Sequence, residues 1–226
     1  MKEDICSIPV SEIFEAQDGC PFCRMHVIFE ERFIDFIMGA AMMEPDIRIE
    51  TNKTGFCNEH YGIMLKKRNR LAIALMMESH LDEVEKNLFS KISIPLFSGS
   101  KANRAEKTSD SCFVCNKIDK ETERFTSTFF RLYDKEKEFR ERVAEQPIYC
   151  LNHYSMLLGK GKSALDKRVY ENFSKVITHI THEALKSIKA DVSHFCKMFD
   201  YRNSDSDFGT SKDSVERAIK FLCGGK

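Results

Sequence analysis

The sequence predicts an all-α fold: two tandem pseudo-repeats of about three helices each, each repeat organised around one Cys3His metal site. The first observation behind this is periodicity. Apolar residues recur in steps of three and four along extended segments, the spacing that lines one face of a helix, and strand-like alternation is nearly absent. The second is internal repetition. DGCPFC (18–23) matches DSCFVC (110–115) at an offset of 92, and EERF (30–33) matches ETERF (121–125) at the same offset. Cys57, His60 and Tyr61 recur as Cys150, His153 and Tyr154 at an offset of 93, so one inserted residue reconciles the repeats, about 18–92 and 110–200.

The first helix of repeat one opens at Pro21, where a missing N–H costs nothing. Phe22, Met25, Phe29, Phe33, Phe36, Ala40 and Met43 share one face of it. Its counterpart carries Phe125, Phe129, Leu132, Phe139 and Val143, with Glu136 as a polar interruption. EPDIRIETNKTG (44–55) reads at most as a short extended connection. A short helix then a longer one follow each Cys-x2-His pair. The longer ones span about 70–92, with Leu71, Leu75, Leu81, Val84 and Leu88 inward, and about 164–199, with Phe173, Ile177, Ile180, Ile188 and Phe199 among its inward positions. SGSKANRAEKTSDS (98–111) is polar and aperiodic and reads as a linker. RNSDSDFGTSKDS (202–214) reads as flexible, and SVERAIKFLC (214–223) as a short helix that docks back. The expected division is 1–97 and 112–201 as the two repeats, 98–111 between them, and 202–226 as a tail.

Composition narrows the function classes. Lysine plus arginine equals aspartate plus glutamate at 35 each, so no global field favours nucleic acid or an acidic ligand. Residues 1–92 hold 11 basic and 16 acidic side chains and 93–226 hold 24 and 19, an asymmetry too small to name a partner. No run of apolar residues is long enough to span a membrane, and MKEDICSIPVSEIFEAQDGC has early acids and no apolar core of a signal peptide. A cytoplasmic location is therefore expected, where nine cysteines serve as metal ligands or redox groups more readily than as a disulfide framework.

Four chelating pairs stand out: Cys20/Cys23, Cys57/His60, Cys112/Cys115 and Cys150/His153. A Cys-x2-Cys or Cys-x2-His step on a first helical turn brings both side chains to one side, and a helix N-terminus favours thiolate over thiol. Each repeat supplies three sulfurs and one imidazole, the donor set of a closed tetrahedral zinc site, so two Zn2+ per chain are expected. Within-repeat closure is favoured, Cys20, Cys23, Cys57 and His60 holding one ion and Cys112, Cys115, Cys150 and His153 the other, because a duplicated unit would fold around its own ion. Crossed closure, stitching the repeats together, is the open alternative. An iron–sulfur cluster ranks second to zinc. The three thiolates leave a zinc site with one net negative charge, which Lys66 and Lys160 are placed to offset.

CPFC also matches the active-site motif of glutaredoxins, but that fold needs a preceding strand, and VSEIFEAQDG reads as helix and turn. His179, His182 and Glu183 sit at helical spacing and read as a solvated face rather than a metal site. Cys6, Cys196 and Cys223 read as free, mostly packed thiols, and His26, His80 and His194 as isolated structural or exposed side chains. KKRNR (66–70), with Lys160, Lys162, Lys167 and Arg168, lacks the aromatic interleaving of a nucleic-acid surface and reads as solvated turns. The methionines of IMGAAMM (37–43) and ALMM (74–77) read as core. No catalytic signature is present, so an enzyme is not the favoured class.

CPFC, GFCNEH, KKRNRLAIALMMESHLDE and the late CKMFDYRN (196–203) together resemble an uncharacterised bacterial domain-of-unknown-function family common in anaerobic Firmicutes. The resemblance covers nearly the whole chain and implies no established activity. Members are sometimes labelled transporter substrate-binding proteins, a label the missing export signal does not favour. The expectation is a cytoplasmic zinc-binding helical protein with structural metal sites, supporting a protein-interaction or regulatory role with an unknown protein partner. The alternative is a thiol redox or thiophilic-metal handling protein using CPFC.

Overall fold

The structure, a computed structural model, describes residues 10–89, 100–200 and 207–225. Every regular element among these residues is helical: α1 (Val10–Ile13), α2 (Pro21–Met38), α3 (Pro45–Thr54), α4 (Asn58–Lys66), α5 (Arg70–Phe89), α6 (Lys101–Ser109), α7 (Phe113–Lys135), α8 (Lys137–Ala144), α9 (Leu151–Ala164), α10 (Lys167–Met198) and α11 (Ser214–Cys223), with 3₁₀ turns at Ala40–Met43 and Gly209–Ser211. Among the described residues no helix is long and apolar enough to cross a membrane.

A long helix, a short helix, a helix opening on Cys-x2-His and a longer helix follow the first CxxC as α2 to α5, and the second as α7 to α10. Each segment therefore holds four helices rather than three. The additional ones were hidden for physical reasons. EPDIRIETNKTG forms α3, not an extended connection: Pro45 sits in its first turn, Asp46 favours that end, and Gly55 closes it at φ 56 with its N–H on Thr51 O. The expected long helix through Val143 breaks at Glu136, which leaves helical geometry (φ −113, ψ 118) and precedes α8. The stretch expected to be a linker contains α6, started by Ser100, whose hydroxyl accepts the Asn103 N–H. With no buried residue, α6 has no apolar stripe for periodicity to detect.

The chain forms two compact units. One takes the described residues through Val27 and those from Glu123 onward; the other is Ile28–Thr122. They do not coincide with the consecutive segments 1–97 and 112–201. The boundaries fall inside α2 and α7, so each of these helices belongs to one unit at its start and the other at its end.

The first unit has an aromatic core. Phe129 lies 5.4 Å from both Phe14 and Phe22, 5.1 Å from Phe130 and 5.7 Å from Phe139, and Phe173 of α10 closes on Tyr133 at 4.8 Å. Such edge and offset contacts contribute about 0.5–1.5 kcal/mol each beyond area burial. Helix α11 docks on α9 and α10, as expected. The second unit packs α3 against α5, and α5 against α4 and α6, and its buried apolar side chains include Phe29, Ile34, Ile37, Met64 and Met76.

The inward face of α5 is Ala72, Ile73 and Met76; Leu71 and Leu81, expected inside, are 69% and 64% exposed. Phe199 and Met43 are likewise exposed rather than core. Of 202–214, expected to be flexible, 202–206 lie outside the described residues. The rest includes the 3₁₀ turn in which buried Ser211 lies 3.0 Å from His194 Nδ1.

Candidate metal centres

All four chelating pairs use one local construction. Cys20, Cys57, Cys112 and Cys150 each stand immediately before a helix, and their carbonyls accept the first helical N–H groups, from Arg24, Tyr61, Asn116 and Tyr154. The second ligand follows three residues later, on the first turn. Side chains at these two positions point to the same side of the helix start, where the unpaired N–H groups carry partial positive charge. Cys57 and Cys150 make no side-chain cap hydrogen bond, so their sulfurs are free to face other donors.

In the first unit Cys20, Cys23, Cys150 and His153 converge; in the second, Cys57, His60, Cys112 and Cys115 do. Within each group all donor atoms lie within 4.8 Å of one another. His153 Nδ1 is 3.4 Å from Cys20 Sγ, 3.4 Å from Cys23 Sγ and 3.1 Å from Cys150 Sγ, and Cys23 Sγ is 3.6 Å from Cys150 Sγ. His60 Nδ1 is 3.0 Å from Cys57 Sγ, 3.3 Å from Cys112 Sγ and 3.5 Å from Cys115 Sγ, and Cys57 Sγ is 4.0 Å from Cys115 Sγ. A tetrahedron with metal–sulfur bonds of about 2.3 Å and metal–nitrogen bonds of about 2.0–2.1 Å has S···S edges near ~3.8 Å and S···N edges near ~3.6 Å. A disulfide needs S–S of about 2.05 Å. The S···S spacings of 3.6 and 4.0 Å bracket the tetrahedral edge, and the S···N spacings of 3.0–3.5 Å fall somewhat inside it. Both S···S spacings lie far beyond a disulfide, and each group could hold one ion.

The sequence expectation of within-repeat closure is therefore corrected. Each group takes its Cys-x2-Cys from one side of the 98–111 stretch and its Cys-x2-His from the other. The reason lies in the connections that present the pairs. At the second centre, Gly55 O accepts the Phe113 N–H at 2.9 Å, Ser111 Oγ donates to Thr54 O at 2.7 Å, and the Phe56 and Phe113 rings meet at 6.0 Å. These contacts seat the start of α7 beside the turn into α4. At the first centre, Gln146 Nε2 donates to Phe14 O at 2.9 Å, drawing the approach to Cys150 toward the approach to Cys20, and Tyr149 is fully buried with its hydroxyl on Val143 O. Phe22 stacks on the His153 imidazole at 5.4 Å.

The donors perturb one another's protons. The Cys20 thiol is pushed up by its hydrogen bonds with Cys150 and Cys23 and by burial, while hydrogen bonds from Cys20 and Cys23 hold Cys150 down. His153 is raised to about 9: burial opposes its charge, but hydrogen bonds to Cys150 and Cys23 outweigh that. Cys115 is pushed up to about 12, by burial first and by the neighbouring Cys112 second. A cation drawing on these thiolates displaces the shared protons, so its uptake is proton-linked.

A model described as a family of unknown function (DUF6062) matches residues 1–226. The chain belongs to that family. No curated protein and no solved structure matches it.

Other candidate residues of this family member fall outside the centres. His179, His182 and Glu183 are exposed, and Glu183 pairs with Lys186 at 2.8 Å, a solvated face as expected. Cys196 and Cys223 are exposed rather than packed, and Cys6 lies outside the described residues. His80 is structural: its Nδ1 bonds Asn52 O at 2.7 Å. Lys66 and Lys160 are exposed. Among the described residues, α1 and a turn stand before α2, and no strand of the kind a glutaredoxin requires does.

Two features of the centres escaped sequence reasoning. The backbone N–H of Gly225 donates to Cys23 Sγ at 3.2 Å, and Asn152 Nδ2 to Cys223 O at 2.9 Å, laying the residues after α11 across the first centre. A backbone donor has no sequence signal. Glu30 Oε1 lies 3.2 Å from His60 Nε2 at the second centre. Its signal was readable: it is an acid on α2 beside the buried Phe33, Ile34 and Ile37.

Proposed function

We propose that this DUF6062 member is a zinc protein carrying two structural Cys3His sites on a duplicated helical scaffold, serving a reducing cytoplasm as a protein-interaction or regulatory component. The observation that carries the reading is the convergence of two complete three-sulfur, one-imidazole groups, all donor atoms of each within 4.8 Å of one another. Thiolate and imidazole donors select zinc and other thiophilic metals over magnesium or calcium, and donors so close together suit one ion better than a multi-iron cluster. Four protein donors leave no open coordination position, which favours a structural over a hydrolytic role. The repeated helix order around 18–92 and 110–200 supports descent from a tandem copy whose two halves now complete each other's sites.

The test is metal content in paired cysteine variants after anaerobic purification. Wild type should hold about two zinc ions. Cys20→Ser with Cys150→Ser should lose one, because both residues serve the same site, whereas Cys20→Ser with Cys57→Ser should lose both. Metal-free wild type would refute the reading.

A redox role has one observation in its favour: Cys23 and Cys150, with sulfurs 3.6 Å apart, are close enough for an oxidant to join them once a metal leaves. Recovery of metal-free protein with a reversible Cys23–Cys150 disulfide would support that alternative.

A further inference from the structure

The geometry points to Glu30 as a positioning residue for the ion held by Cys57, His60, Cys112 and Cys115: its carboxylate takes the Nε2–H of His60, fixing the ring so that Nδ1 faces the metal. This rests on the metal-binding reading above and adds a residue outside the eight ligands.

Three observations carry it. His60 approaches all three sulfurs of its centre through Nδ1, at 3.0, 3.3 and 3.5 Å. A neutral imidazole that offers its Nδ1 lone pair must carry its proton on Nε2. That Nε2 is buried and has no aligned hydrogen bond among the described residues, yet Glu30 Oε1 stands 3.2 Å away, close but oblique. Finally, Glu30 is itself largely covered, its side chain 16% exposed, in a stretch of α2 where Phe33, Ile34 and Ile37 are buried. Burying a carboxylate is unfavourable unless it is paired. The His60 N–H is the partner that relieves this one.

The chemistry is that of a carboxylate–histidine–metal relay. The acceptor sets the tautomer, restrains the ring and makes the ligating nitrogen more basic. The competing explanation is a structural ion pair, in which a doubly protonated His60 simply neutralises Glu30. In that case Nδ1 carries a proton and cannot ligate, and removing Glu30 leaves ion release unaffected.

The experiment uses the full chain with Cd2+ in place of zinc, giving one cadmium resonance per site, assigned by which signal disappears in Cys57→Ser and which in Cys150→Ser. Chelator-driven loss of each resonance is followed in wild type, Glu30→Ala and Glu30→Gln, alongside the His60 ring nitrogen shifts. Glu30→Ala should release the ion of the His60 centre about 10–100-fold faster. The ion of the His153 centre should leave at the wild-type rate. Glu30→Gln, which keeps an acceptor oxygen without the charge, should fall between, with His60 still protonated on Nε2. Unchanged release from the His60 centre in Glu30→Ala overturns the inference while leaving the metal reading intact. Equal acceleration at both centres also overturns it, since that is the mark of general destabilisation. Should Glu30→Ala not fold, Glu30→Gln decides alone, with wild-type release overturning the inference. A wild-type chain that takes up no cadmium or zinc overturns the metal reading itself.

Discussion

Cysteine is a poor way to begin a helix. Serine, threonine, aspartate or asparagine there would accept a backbone N–H and stabilise it by about 1 kcal/mol. Yet cysteine stands before α2, α4, α7 and α9, and at two of these its side chain makes no cap hydrogen bond. If the centres hold the zinc proposed above, the trade is favourable, since a structural zinc ion contributes about 10–16 kcal/mol in small metal-folded peptides and outweighs several forgone caps. The same logic of placement governs Gly55. It sits at φ 56, ends α3, and lends its carbonyl to the Phe113 N–H where α7 begins. A Cβ there would overlap the His80 ring. Gly55→Ala should therefore destabilise the metal-bound protein by about 1–3 kcal/mol, read as a lower thermal midpoint, and weaken the ion of the His60 centre selectively. Gly62→Ala is the control: nothing lies within 4 Å of its added Cβ inside α4, and alanine there should stabilise by about 0.5–1 kcal/mol. Equal midpoints for the two variants would show that the turn at Gly55 carries no strain-sensitive role.

At the level of elements, α11 and the two glycines after it act on the first centre. The Gly225 N–H on Cys23 Sγ is a hydrogen bond to a sulfur that is a thiolate when it ligates, and Asn152 holds the strap through Cys223 O. Hydrogen bonds to charged groups contribute about 1.5–3 kcal/mol, so deleting 224–226 should speed ion loss from the His153 centre about tenfold or more. The His60 centre should be untouched. Equal release rates from the His153 centre before and after deletion would dismiss the strap. The docking of α11 was legible in SVERAIKFLC because its apolar stripe is continuous, and α2, α7 and α10 were legible for the same reason. What the sequence concealed were elements without such a stripe. Helix α6 buries nothing, and α3 is fixed by its ends, Pro45 and Gly55, rather than by periodicity. For α5 the period was right but the face was off by a position, because small Ala72 and Met76 pack inward while Leu71 faces solvent. The eight candidate ligands were legible from spacing alone, and their partnership was not. Spacing along a chain fixes which two donors share a helix turn. Which turns meet is set by contacts such as Gly55–Phe113 and Gln146–Phe14, about 58 and 132 residues apart in sequence.

Crossed closure has a consequence for the molecule as a whole. If each ion draws two ligands from residues before the 98–111 stretch and two from residues after it, neither half of the chain owns a complete site of the observed kind. Metal binding then closes long loops, from Cys23 to Cys150 and from Cys57 to Cys112, and the free energy of binding becomes free energy of folding for both compact units at once. The same split applies to the apolar cores, since Phe14 and Phe22 pack on Phe129 and Phe139, far along the chain. A chain built this way should not tolerate division. Expressed separately, residues 1–97 and 112–226 should each hold zinc weakly, giving it up to an equimolar chelator, and should show little cooperative unfolding. Mixed in the presence of zinc, they should combine one to one, retain about two ions, and recover a single melting transition that chelator abolishes. The alternative outcome is equally plain. If each half alone binds one ion tightly through its own CxxC and CxxH and melts cooperatively, then the crossed arrangement is one of two attainable closures, and each half can fold around its own metal.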